Sequence, residues 1–274
     1  MTRTNDRKDG GRRDGKQNGD DGFEQVLNYV RDEMEPHIDG YTRSYLRRRV
    51  DSRIRRADCE GYEDYVELLR DDADERRDLM DAFWINVTRF FRNPDVWERL
   101  YETLPDEGSL RAASVGCADG SEAYSLAVLC ASKGVDVSVT GIDADPRAVE
   151  VAREGTYDAD IDELETVSFV DDATEYVVEK DDCLEVDREI RRNVDFVQGN
   201  AMDVSNLFRG YDLVLCRNLL IYVRADRREP IFEGVTGMLD DGGLLVLGKT
   251  ESLPSDYRQK YTTVDGRLRI YRKK

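Results

Sequence analysis

The 274-residue chain holds a single histidine, His37, and its five cysteines (59, 117, 130, 183 and 216) include no Cys-x-x-Cys pair. The first scarcity excludes mechanisms that need several imidazole ligands or a Ser–His couple. The second excludes a cysteine-rich zinc site and fits a reduced compartment, so a cytoplasmic protein is expected. No stretch approaches the ~18 apolar residues of a membrane span, and the N-terminus carries no apolar signal core, which predicts no direct membrane insertion. Lysine is scarce too, with 8 against 37 aspartates in a chain of 59 acids, 41 bases and formal net charge −18. Such a surface reads as adaptation to high salt, as in a halophile, because strong screening tolerates a large like charge. It argues against nucleic acid as the partner, since phosphate binding needs a strong basic footprint.

Residues 2–22 contain no large apolar side chain, so 1–22 is expected to be a disordered tail. Phe23, Val26, Leu27, Val30 and Met34 then recur at helical spacing up to Pro36. Further helical patterns at 42–57, 62–69 and 75–86 predict a small all-α domain over 23–92, with 93–107 as a linker. After Gly108 short apolar runs alternate with helical patterns. Strands are expected at 110–115, 136–142, 194–197, 212–216 and 243–247. Helices are expected at 121–132, 146–153, near 204–208 and at 226–239. This alternation predicts an α/β domain over 108–274, Rossmann-like, with a mostly parallel sheet. Residues 260–272 read as a hairpin turning at Asp265–Gly266. Residues 174–190 break the pattern and predict a small antiparallel β insertion, spanning about 167–193.

The stretch "SVGCADGSEAYSLAVL" (114–129) is a strand, a turn of small residues and a helix, which brings backbone close to a ligand. Gly116 and Gly120 are spaced Gly-x-x-x-Gly, unlike the dinucleotide fingerprint, and the acid Glu122 follows. A carboxylate there disfavours a pyrophosphate and favours a cationic sulfonium, so the turn favours S-adenosylmethionine over NAD. Asp143 closes the next strand 23 residues after Gly120, where a carboxylate can accept both hydroxyls of a ribose. Its neighbour Asp145 precedes Pro146 and reads as a helix cap. Asn200, beside Ala201, and Asp203 follow the third strand, where polar side chains can read an adenine. Arg217, Asn218 and Tyr222 follow the fourth. Taken alone, Asn218 is equally a turn residue and Tyr222 equally a core aromatic.

Four segments, "NVTRFFRN" (86–93), "GCADGSEAYSLA" (116–127), "GIDADPRAVEVAR" (141–153) and "LVLCRNLLIYV" (213–223), together resemble the successive motifs of the CheR-type chemoreceptor glutamate methyltransferases. The resemblance covers roughly residues 23–272. It implies S-adenosylmethionine as cofactor, with Asn86, Thr88, Arg92, Glu122, Asp143, Asn200, Arg217 and Asn218 lining its pocket. It implies that Arg92 and Tyr222 face the methyl-transfer point. The family's Gly-Glu-Glu-Pro-Tyr-Ser is here Gly-Ser-Glu-Ala-Tyr-Ser: Ser121 and Ala123 depart, while Glu122 and Tyr124 match. The hairpin at 176–186 is short beside that of members that dock a receptor tail peptide, which puts such docking in doubt.

Esterifying a glutamate needs no general base, because a free Glu side chain has a pKa of about 4.3 and is already ionised. That suits a chain with one histidine. Positioning can supply roughly 7–11 kcal/mol, and an arginine orients a carboxylate through two parallel hydrogen bonds; Arg92 is the candidate. Residues 41–57 hold seven arginines against one acid, Asp51. On a helix, Arg48, Arg49, Arg55 and Arg56 lie opposite the stripe Leu46, Val50, Ile54, as a docking face for the acidic methylation helices of a chemoreceptor. A monomer is expected. Two alternatives stand: a small-molecule methyltransferase with the same core, and a non-catalytic module that binds cofactor and receptor.

Overall fold

The apolar spacing that opens at Phe23 does build a helix, α1 (Asp14–Glu33), with Phe23, Val26 and Val30 fully buried. In the computed structural model, residues 14–34, 36–83, 88–158, 176–180, 183–203 and 208–274 are described. The chain divides into two units, residues 1–85 and 86–274. Among the described residues, no helix is long and apolar enough to cross a membrane.

The first unit continues through a 3-10 turn at Pro36–Gly40, α2 (Arg43–Arg56), α3 (Tyr62–Asp71) and α4 (Ala73–Phe83). α1 packs on α3 and α2 on α4. α1 starts inside the stretch expected to be disordered. Gly22 is buried there, and the Cβ it lacks would lie 3.0 Å from Tyr62. Once Phe23 anchors a helix, each added residue costs little, so polar residues extend it N-terminally. Residues 1–13 lie outside the described residues.

The second unit runs α5 (Pro94–Thr103), β1 (Ser109–Val115), α6 (Ser121–Ser132), β2 (Asp136–Asp143), α7 (Pro146–Glu154), β3 (Thr156–Asp158), β4 (Val177–Lys180), β5 (Cys183–Val186), α8 (Arg188–Arg191), β6 (Val194–Gln198), β7 (Tyr211–Cys216), α9 (Arg228–Met238), β8 (Leu239–Leu247), α10 (Ser255–Arg258), β9 (Tyr261–Asp265) and β10 (Ile270–Lys273). The stretch 93–107 is therefore not a linker. Pro94 starts α5, and Val96, Trp97 and Leu100 bury its apolar face in the core of this unit. The expected helix near 204–208 falls largely outside the described residues.

Seven strands form one sheet in the order β6-β2-β1-β7-β8-β10-β9. The first five are mutually parallel, and β10 runs antiparallel to both β8 and β9. Side chains alternate between two cores, as a strand's period of two requires. Ala112, Leu213, Leu215, Leu244 and Val246 enter one; Ala113, Val115, Val214, Cys216, Leu245 and Leu247 enter the other. Both faces are covered, which explains the continuous apolar runs of the central strands. The insertion is a separate antiparallel sheet, β3-β5-β4. Its third strand, β3, was not expected, because three residues carry no readable periodicity.

From β1 the chain moves outward to β2 and β6, then returns to place β7 on β1's other flank. In sheets of this kind ligands bind at such a reversal, outside the carboxyl ends of the strands. The turns that follow β1, β2, β6, β7 and β8 all open at that end.

Candidate active site

The segment before α5 is held by its aromatics. Phe90 and Phe91 are 1% and 0% exposed. Phe90 meets Tyr157 edge-on at 5.2 Å, and Phe91 meets Trp97 at 5.8 Å. The Phe91 N–H donates to Ser125 Oγ (2.8 Å), whose hydroxyl donates on to the Ser121 carbonyl (2.7 Å). Phe91 and Asn93 both adopt left-handed backbone, φ 53° and 65°, costing of order 1–3 kcal/mol each. Burial of two Phe side chains, about 1.5–3 kcal/mol each, offsets this. Arg92 is thereby fixed between two strained residues. Thr88 is half-buried nearby in sequence; Asn86 lies outside the described residues.

The glycine turn is left-handed at Gly116, Ala118 and Gly120, with φ 77°, 49° and 89°. The Gly116 and Cys117 N–H groups donate to the Ile142 carbonyl (2.8 and 3.1 Å), tying the turn to the end of β2. A Cβ at Gly120 would lie 2.7 Å from the Phe196 ring and 2.8 Å from Ala152. Gly120 is thus demanded by packing as well as by φ. Tyr124 is another structural member of the motif: its hydroxyl donates to the Ala152 carbonyl (2.6 Å), and burial pushes its pKa up to about 12.

Asp143 faces this turn. Oδ2 accepts the Ala118 N–H (2.7 Å) and Oδ1 the Asp145 N–H (3.0 Å). Burial raises its pKa above the ordinary carboxylate value, against the lowering effect of those N–H donors. Each carboxylate oxygen has two lone-pair sites, so beyond the N–H groups of Ala118, Ala144 and Asp145 acceptor capacity for a hydroxyl donor remains. Asp145 is the N-cap of α7 and accepts the Arg147 N–H (2.9 Å), as its place before Pro146 predicts.

Glu122 is not the lone acid expected at the helix start. Oε2 accepts from Arg217 Nη1 (3.0 Å) and Oε1 from the Ser114 hydroxyl (2.8 Å). Arg217 is 4% exposed and spans to the Phe-Phe-Arg segment: Nη2 donates to the Arg92 carbonyl (2.8 Å) and Asn93 Oδ1 (3.2 Å), and the guanidinium lies over Trp97 at 5.4 Å. Its buried Nε has no partner among the described residues. The charge argument for a sulfonium at Glu122 is therefore weakened, because the carboxylate is half neutralised inside the protein.

Asn200, Asn218 and Tyr222, also expected at the site, are engaged by the protein itself. Asn200 Oδ1 accepts the Met202 N–H (3.0 Å), an Asx turn, with Ala201 packed beneath against the second core. Asn218 is left-handed, φ 59°, and its N–H donates to Glu251 Oε2 (3.1 Å). Tyr222 is half-buried and closes the turn through its N–H on the Leu219 carbonyl (3.2 Å). Glu251 went unread in the sequence. It lies past β8 in "GKTESL", a stretch whose pattern marks only the end of a strand.

S-adenosylmethionine carries vicinal ribose hydroxyls and a carboxylate. Asp143 has acceptor capacity for one of the former and Arg217 a spare buried donor for the latter, so the donor set fits.

Comparison with known proteins closes the question of kinship. Residues 86–270 match the family model described as CheR methyltransferase, SAM binding domain, and residues 21–84 match CheR methyltransferase, all-alpha domain. A probable chemotaxis protein methyltransferase of Rhizobium etli is 27% identical over 234 residues, 79% of this chain and 87% of that protein. A chemotaxis protein methyltransferase of Listeria monocytogenes is 28% identical over 229 residues, 79% and 85% of the two chains. Among solved structures, a TehB-like SAM-dependent methyltransferase of Corynebacterium glutamicum aligns with TM-score 0.41 and 14% identity over 74% of this chain and 96% of that one. With its two halves matched in order, the chain belongs to the CheR methyltransferase family, and its cofactor is S-adenosylmethionine.

Proposed function

We propose that this methyltransferase esterifies glutamate side chains on the cytoplasmic helices of chemoreceptors, acting as a cytoplasmic monomer. The observation that carries the reading is the fixing of Arg92. Two buried phenylalanines, two left-handed residues and the Arg217 clamp hold it at the edge of the cofactor turns. A guanidinium carried on a backbone so held orients a carboxylate through paired hydrogen bonds without a general base. When bound, S-adenosylmethionine supplies an electrophilic methyl on a sulfonium. Asp143 takes a ribose hydroxyl, Arg217 the carboxylate, and Thr88, Asn200 and Asn218 line the remainder of the pocket. Arg92 and Tyr222 flank the acceptor.

α2 supports a polypeptide substrate. Arg48, Arg55 and Arg56 are exposed on it, and Arg49 is half-buried with its guanidinium 5.2 Å from Tyr45. The other arginines of the run are used inside the unit: Arg53 binds Glu75, Arg47 lies over Phe23 at 4.6 Å, and Arg43 pairs with Glu24. The remaining basic face complements an acidic helix, whereas a small substrate needs no such surface.

The test is incubation with a labelled methyl donor and chemoreceptor cytoplasmic fragments, at high and low salt. Label on the fragment that is released as methanol by mild base marks a carboxyl ester. Label confined to small molecules, or stable to base, overturns the reading.

A further inference from the structure

Glu251 is 4% exposed and, among the described residues, meets no cation. Its carboxylate is spent on backbone. Oε2 accepts the N–H groups of Asn218 (3.1 Å) and Gly248 (2.6 Å), and Oε1 accepts that of Leu220 (2.7 Å). Gly248 follows β8 directly, while Asn218 and Leu220 lie in the turn after β7. One carboxylate therefore ties together the carboxyl ends of two neighbouring strands. A Cβ at Gly248 would come 2.6 Å from Oε2 and 2.8 Å from the Asn218 nitrogen, so a side chain there would occupy the space the carboxylate uses.

The turn so held is 217–222, with Arg217 at one end, left-handed Asn218 next to it and Tyr222 at the other end. Among the described residues its N–H groups at 218 and 220 meet no backbone carbonyl, and buried donors left without acceptors are costly. We infer that Glu251 is a positioning residue for methyl transfer: its buried carboxylate sets the backbone of 217–222 and thereby places Asn218 and Tyr222. The inference rests on reading that turn as part of the methyl-transfer site. A carboxylate is required because both oxygens must accept. A glutamine offers one acceptor and sets an NH2 donor against an N–H donor on the other side.

The test is Glu251→Gln, a change of nearly equal shape, read three ways. Amide hydrogen exchange at Asn218, Leu220 and Gly248 is expected to lose protection at least tenfold at one side of the carboxylate, with β1 unchanged. Calorimetry with S-adenosylhomocysteine is expected to give a Kd within threefold of wild type. Methylation of a chemoreceptor fragment is expected to show kcat down more than tenfold with KM within twofold. A double variant with Tyr222→Phe should be no slower than the slower single, because both act at one point. Val235→Ala, in the second core on α9, supplies a variant of lowered Tm whose kcat per S-adenosylhomocysteine site should stay near wild type.

A Glu251→Gln kcat within twofold of wild type, or a loss that Val235→Ala reproduces at equal Tm, overturns the inference. If Glu251→Gln does not fold, Gly248→Ala displaces the same carboxylate and is read in the same way. If wild type methylates no receptor fragment, the substrate reading fails separately; unchanged protection at Leu220 and Gly248 then still overturns the role of Glu251, and lost protection there upholds it.

Discussion

In the helical unit Arg53 grips Glu75 with Nε and Nη2 (3.0 and 2.5 Å), and the Tyr65 hydroxyl donates to the same carboxylate (2.6 Å), joining α2, α3 and α4. In the α/β unit Arg217 reaches Glu122 with Nη1 alone (3.0 Å), spends Nη2 on the Arg92 carbonyl and Asn93, and leaves Nε without a partner among the described residues. Both pairs are buried, with side chains 12% and 9% exposed in the first and 1% and 13% in the second. In the first the guanidinium is tied off by carboxylates, Nη2 also donating to the exposed Asp78 (2.6 Å); burial and the hydrogen bond to Glu75 push the Tyr65 hydroxyl well above its ordinary pKa, and Glu75 raises that of Arg53. The second retains donor capacity beside the glycine turn that follows β1. An unsatisfied buried polar group in a native protein calls for an explanation; Arg49 and Arg99 also bury an Nε without a hydrogen-bond partner among the described residues, so what sets Arg217 apart is its place between Glu122 and the Phe-Phe-Arg segment.

The largest effect expected from breaking the contrast is at the pairs themselves. Removing one partner of a buried pair costs about 3–5 kcal/mol, because the other charge is left unpaired. Arg217→Ala should lose that much stability in the α/β unit and also lose S-adenosylhomocysteine binding. Arg53→Ala should lose a similar amount in the helical unit with cofactor affinity within twofold of wild type. Scanning calorimetry with and without S-adenosylhomocysteine separates them, and equal loss of affinity in both would erase the distinction.

Asp143→Ala comes next. A ribose hydroxyl left without its acceptor costs about 1–3 kcal/mol, so titration calorimetry should show affinity for S-adenosylhomocysteine reduced about tenfold. The same titration with NAD should show no binding to wild type.

Arg92→Ala should act on the other side of the reaction. Loss of a hydrogen bond to a charged group is worth about 1.5–3 kcal/mol, which is roughly 10- to 150-fold in turnover, while cofactor affinity stays within a few-fold. Arg92→Lys should recover only part of this, since lysine lacks the planar fork. Turnover of Arg92→Ala within twofold of wild type would place the acceptor elsewhere.

The smallest effect is expected at α2. Reversing Arg48, Arg49, Arg55 and Arg56 to glutamate should raise KM for the receptor fragment and leave cofactor binding intact. The change should shrink at molar salt, where the Debye length is about 3 Å. If deleting the receptor's C-terminal tail abolishes methylation and the reversed enzyme works normally, docking belongs to the β4–β5 hairpin.

Much of this architecture was legible in the chain. The helix over 121–132 and the strands at 110–115, 136–142 and 194–197 appear within a residue or so of their expected bounds, because parallel central strands and amphipathic helices leave strong periodic patterns. α5 was missed because its apolar residues follow Pro94 so closely that the segment reads as loop. At the candidate site, the motifs marked turns at the carboxyl ends of the strands but not the bonds inside them. Ser125 looks like an ordinary helix residue until Phe91, 34 residues earlier, donates to it.

Local patterning by itself determined the order of elements, the glycine turn after β1, Asp143 at the next strand end and Asp145 as a cap, since each depends on neighbours within a few residues. Tertiary structure alone decided that Glu122 meets Arg217 across 95 positions, that Arg217 clamps a carbonyl 125 positions away, and that Glu251 joins the ends of β7 and β8. Those partners are set by which strands the topology makes adjacent. A side chain's capacity for hydrogen bonds is written in its type, but whether a ligand or the protein takes up that capacity depends on what the fold brings within 3 Å.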